Sequence, residues 1–221
     1  MAIDKSSAPP WVKGVIIFVA ISFVVTMGGL ASLSLTPSGG SGTQNGQAST
    51  NASDTLAAIA STYASRTVGI EAALKADAKN YDMLVAQGQT YQDWAGAILQ
   101  SNAAESGAAT PLLILSVSYY QRALAVKPGD PNVMTDMSIA QFYSGDAEAA
   151  IATGEAVVKS DPAFAPVRYN LGIYYAQVGE TAKAIASIEK SLELDPNAGS
   201  AAQAKEMLAQ LKGASTPTTT P

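Results

Sequence analysis

The sequence contains no cysteine and no histidine. The first absence removes disulfides, thiol chemistry and lipid-modified cysteine. The second removes the side chain that titrates near neutral pH unaided, and the two together remove the donors that most transition-metal sites need. Charge is scarce as well: 14% of residues are charged, and they sum to −5, so no basic footprint for nucleic acid is present. The Gly-rich run 39–46 is not followed by Lys-Ser/Thr and a helix, so it is no phosphate cradle, and Asp130, Asp136 and Asp146 do not follow a calcium-loop pattern. The remaining carboxylates are scattered, with no two at a spacing that faces them together. No catalytic, metal or cofactor site is expected, and the chain is not expected to be an enzyme.

What the sequence has is a period. Pro128, Pro162 and Pro196 stand 34 residues apart. Gly145 answers to Gly179, Ala150 to Ala184, and Asp161-Pro162 to Asp195-Pro196. Val117, Ile151 and Ile185 keep one phase, and Leu124, Val158 and Leu192 another. Such a period is that of a helix–turn–helix unit, which buries its apolar face by stacking on its neighbours. Within 165–196, Leu171, Tyr174, Tyr175 and Val178 make one helical stripe and Ala184, Ile185, Ile188 and Leu192 a second. Gly179 supplies the stop between them, and Pro196 ends the second helix. Gly172 and Ala184 are small where two antiparallel helices come close.

Leu171-Gly172, Tyr175, Gly179, Ala184 and Pro196 resemble the pattern of a tetratricopeptide repeat (TPR). The unit 131–162 keeps Gly145, Ala150 and Pro162. It has Met137-Ser138 for Leu-Gly, Gln141 for the aromatic residue, and Gly154 where a bulky residue is usual. The resemblance covers about 54–212 and implies an all-α solenoid of TPR helical hairpins.

The one long apolar run lies at the other end. After a polar head, 1–13, there is no charge from Gly14 to Leu35. A helix of those residues would be about 33 Å long, enough to cross a membrane. Lys5 and Lys13 precede it and no Lys or Arg follows until Arg66, so the head is expected in the cytoplasm and the repeats outside the membrane. A cleaved signal peptide ending near Gly29-Leu30-Ala31 is the rival reading. Residues 36–53 are Gly/Ser-rich and uncharged, as a flexible linker would be.

The rest divides as follows. Residues 54–79 read as a degenerate helical hairpin with a Ser53-Asp54 cap, one stripe through Leu56, Ile59, Ala60 and Tyr63, and another through Ile70, Ala73 and Leu74. Residues 80–128 read as a repeat lengthened around 96–111, with Thr110-Pro111 opening its second helix and Ile98, Leu99 and Leu112 to Leu115 near a projecting tip. These tip residues are either core or an exposed patch for a membrane partner. Repeats 129–162 and 163–196 follow, then a capping helix, 197–212, and a Thr/Pro tail, 213–221, expected to be disordered.

The resemblance also implies a site. In TPR proteins the first helices of successive hairpins line a concave groove. Here that assigns Val85, Gln89, Asn132, Thr135, Ile139, Phe142, Tyr169, Asn170, Ile173, Gln203 and Met207. The surface is amide and aromatic, without the Lys/Arg ring that binds a chaperone's C-terminal carboxylate, and it suits an extended segment or a helix of a protein partner. The expected function is a membrane-tethered interaction scaffold or assembly factor on the extracytoplasmic side. No nucleic acid or small-molecule substrate is expected. The alternative is a structural accessory subunit that docks on an integral membrane complex through 14–35.

Overall fold

The computed structural model describes residues 52–101, 104 and 107–214. These form eight α-helices: α1 (Ala52–Ala76), α2 (Tyr81–Leu99), α3 (Ala109–Val126), α4 (Pro131–Ser144), α5 (Ala147–Ser160), α6 (Ala165–Gln177), α7 (Thr181–Leu194) and α8 (Ala201–Ala214). No strand occurs among the described residues. Each helix packs on the one before it, and the first helices also meet, α2 against α4 and α4 against α6. The result is an all-α solenoid of three hairpins, α2–α3, α4–α5 and α6–α7, flanked by α1 and α8.

The turns explain the regular stacking. Gly145 and Gly179 close α4 and α6 with φ of 99° and 83°, a left-handed region that costs an L side chain energy and a glycine little. Asn80, Asp130 and Asp146 cap α2, α4 and α5, each carboxyl or amide oxygen accepting from a backbone N–H one turn on. Asp130 also accepts from Tyr81 Oη at 2.8 Å and Lys127 Nζ at 2.8 Å. The Lys127 bond, with those from Tyr81 and the backbone N–H groups, holds its carboxyl at about 2. One side chain thus joins the start of α2 to the α3–α4 turn.

Glycines set the helix separations. A Cβ on Gly88 would lie 2.6 Å from the Tyr120 ring, and one on Gly172 would meet Ile188 and the Ala184 carbonyl. Gly154 is the same device between repeats, because a Cβ there would lie 2.8 Å from Leu171 of the next hairpin. The bulky residue missing from α5 is therefore supplied by α6. The other departures in 131–162 are also compensated. The Gln141 carbonyl oxygen accepts from Thr153 at 2.9 Å across its own hairpin, and the Ser138 hydroxyl meets that of Tyr174, 3.1 Å away, in the next.

Several sequence expectations are corrected. Residues 54–79 form no hairpin: α1 is one helix of 25 residues. Leu56, Ile59, Tyr63, Thr67, Ile70 and Leu74 step by three and four without a break. Thr67, which interrupts the apolar stripe, is buried and donates to the Ala64 carbonyl at 2.8 Å. Ala52 and Ser53, assigned to the linker by sequence, belong to α1. α3 begins at Ala109, before Thr110-Pro111, and has no side-chain cap. α8 runs to Ala214, into the predicted tail.

The hairpin α2–α3 has helices of 19 and 18 residues against 14, 14, 13 and 14 in the two that follow. Its extra length is partly core. Ile98 and Leu113 are buried with Ala95, Ala109 and Ala140, and Leu56 and Ile59 of α1 pack on them. Ile114 and Leu115 remain exposed. The predicted membrane-spanning segment 14–35 lies outside the described residues, as do the head, the linker and the tail beyond Ala214. Among the described residues no helix is long and apolar enough to cross a membrane.

Candidate first-helix surface

The residues assigned to the groove lie on α2, α4, α6 and α8, at two depths. Thr135, Ile139, Phe142, Tyr169, Ile173 and Met207 are buried. Phe142 stacks on Tyr174 with ring centroids 4.6 Å apart, and Phe142, Tyr169, Ile173 and Met207 share one core cluster with Leu171 and Ile188. These side chains fill the space between successive first helices, so they hold the surface up rather than present it. The reason is size: first helices that pack directly leave room between them that only large side chains fill. Asn132 is exposed, and Val85, Gln89, Asn170 and Gln203 are half-buried. These five are the assigned residues with the most surface to offer.

A titratable group missing from the sequence assignment sits among them. Asp136 is half-buried on α4, one turn on from Asn132 and so on its face. Burial pushes its carboxyl up to about 6, with Asp93 of α2 and Asp130 adding to the rise and hydrogen bonding from Gln89 opposing it. Asp93 is itself raised by burial and lowered by Arg66, whose guanidinium stands 3.7 Å away. Gln89 and Asp93 are four residues apart on α2, so α2 and α4 together present an amide and two carboxyls. The i to i+4 spacing of Asn132 and Asp136 was the available signal. Further along, burial and Glu206 of α8 push the buried Tyr169 up to about 12. The accessible surface thus offers amides and, at one end, carboxyls.

Residues 165–198 match the family model for the tetratricopeptide repeat, a span that contains α6 and α7. No curated protein matches the sequence. Among solved structures, a crystal structure of MamA superimposes with a TM-score of 0.57 at 20% identity, covering 69% of this chain and 78% of that one. A second crystal structure of MamA protein gives 0.52 at 19% identity, over 73% and 88%. At that identity the likeness is one of fold. By sequence at 165–198 and by shape over the solenoid, the chain is similar to tetratricopeptide repeat proteins.

Proposed function

We propose that this protein is a membrane-tethered interaction scaffold that holds an extended segment or helix of a protein partner along α2, α4, α6 and α8. The observation that supports it is that Gln89, Asn132, Asn170 and Gln203, one on each of these four helices, are uncharged amides with accessible surface, while bulky neighbours such as Phe142, Tyr169, Ile173 and Met207 are spent on packing. Amides on a rigid support can hydrogen-bond a partner's backbone at little entropic cost. Residues 14–35 are the anchor in this reading, with the head in the cytoplasm and the solenoid on the extracytoplasmic side.

The test is position-specific photo-crosslinking in cells with the full chain. Crosslinkers at Asn170 and Gln203 should capture the same partner, and crosslinkers at Lys159 and Lys190 should not. Capture only from within 14–35 would overturn the scaffold reading in favour of an accessory subunit docked through its anchor. Protease protection of the solenoid in intact cells, with loss on permeabilising the outer layers, tests its side of the membrane. Cleavage by a cytoplasmic protease would place it on the other.

A further inference from the structure

We infer that Ile114 and Leu115 rest on the lipid surface into which the chain is anchored. The inference builds on the reading of 14–35 as a membrane anchor.

Four large apolar residues are notably exposed among the described residues: Val68 at 65%, Ile114 at 59%, and Leu115 and Val126 at 41% each. Two of them are adjacent at the start of α3. The accessible face around them, Pro111, Ile114, Leu115 and Ser118, is uncharged, and no charged residue occurs from Ala109 to Gln121. The first charge on α3 is Arg122, about 12 Å along the axis from Ile114. A surface that turns from apolar to charged over that distance matches the step from a bilayer interface to water.

The position of the patch identifies what covers it. Leu112, Leu113, Leu56 and Ile59 all belong to or pack against one buried cluster, and the last two lie in the first two turns of α1. The chain joins α1 at Ala52, so the patch and the attachment of the tether share one end of the solenoid. In the anchor reading 36–51 is a 16-residue Gly/Ser-rich tether, which by its composition would span about 22 Å. It would hold the patch near the membrane at an effective concentration in the millimolar range. Two side chains worth about 2 kcal/mol each would not bring a free protein to a membrane, but on such a tether they suffice. A stable protein interface needs about 800 Å² from each partner, more than two side chains supply, so lipid fits better than a second protein. The net charge of −5 makes attraction to anionic lipid an unsuitable explanation, so neutral lipid is the appropriate probe.

The absence of cysteine makes the test direct. Full-length Ile114→Cys, Leu115→Cys, Val68→Cys and Val126→Cys, each carrying an environment-sensitive fluorophore, are reconstituted into phosphatidylcholine vesicles containing nitroxide lipids. Positions 114 and 115 should be quenched several-fold more than 68 and 126, although 68 is the most exposed of the four. Equal quenching at all four, or none at 114 while the protein floats with the vesicles, overturns the inference and leaves the anchor intact. A protein that does not float with vesicles overturns the anchor reading and this one with it. A blue shift at 114 that appears in native membranes and not in pure lipid assigns the patch to a protein and overturns the lipid assignment.

Discussion

The two ends of the solenoid are built on different principles. Around α6 to α8 the buried residues are mostly apolar or aromatic: Leu171, Tyr174, Ile188, Met207 and Leu211 share one cluster. Around α1 to α3 the buried set includes Thr67, Gln87, Thr90, Gln92 and Ser116. Some of these are satisfied. Thr90 donates to the Ala86 carbonyl at 2.7 Å, and Gln92 accepts from the Tyr120 hydroxyl at 2.9 Å. Gln87 is satisfied less well: it is fully buried, its side-chain oxygen meets no partner, and its amide N–H reaches only the Tyr91 hydroxyl. Burying such a group without a partner costs about 1–3 kcal/mol. The lesson is that a regular repeat shape does not imply even stability along it. The α1–α3 end is therefore expected to be the weaker one, with local opening starting there.

The largest expected effect tests the strong end. Gly172→Val would drive a branched side chain into Ile188 and the Ala184 carbonyl, and should cost about 2–3 kcal/mol in urea unfolding. An unchanged midpoint would show that α6 and α7 are less tightly joined than their geometry states. Gln87→Met should act in the opposite direction at the weak end, adding about 1 kcal/mol, because it keeps the volume and removes a buried amide that is not fully paired. Hydrogen exchange would then show amides of α1 and α2 gaining most of the protection. If protection rises evenly along the chain, the two-ended picture fails.

Asp136 lies between the two ends and carries a pH signature. Its folded pKa is raised to about 6, above that of an unfolded aspartate near 3.9. The folded state therefore binds the proton more tightly. The associated stability is full below about pH 4 and is lost as pH rises through about 6. Asp136→Asn should remove that loss, stabilising the fold by about 1–2 kcal/mol at pH 7.5 and by little at pH 4. Denaturation at the two pH values checks this, and an equal gain at both would assign the effect to something other than titration. The smallest effect compares two glycines. Gly69 of α1 is helical, and a Cβ there would meet nothing within 4 Å, unlike one on Gly172. Gly69→Ala should therefore gain about 1 kcal/mol from helix propensity alone, read as a rise in thermal midpoint.

Much of this fold is legible in the sequence because its constraints are local. Gly145, Gly179 and the prolines mark where helices stop, and their 34-residue spacing carries over to the packing. α1 reads as two helices because a polar residue in an apolar stripe looks like a boundary. Only the structure shows Thr67 turned back onto its own helix. The surface is half legible for a related reason. Register assigns Phe142 and Tyr169 to the first helices, but their depth depends on how closely α4 and α6 approach, which one helix's pattern does not encode. Asp136 is hidden from such a reading because its environment is assembled from α2 and α4, 43 residues apart at Asp93 and Asp136.

The terminal helix has a consequence for assembly. α8 lays Ala204, Met207 and Leu211 on the core of the last hairpin, and Lys212 reaches Glu189 at 2.6 Å. Without it, the uncovered side of α6 and α7 would be ready to receive another molecule's leading face. Because those two faces differ, each addition would leave a new one open, and growth would run on as a fibre rather than close into a ring. A single short helix therefore covers the face through which such growth would run.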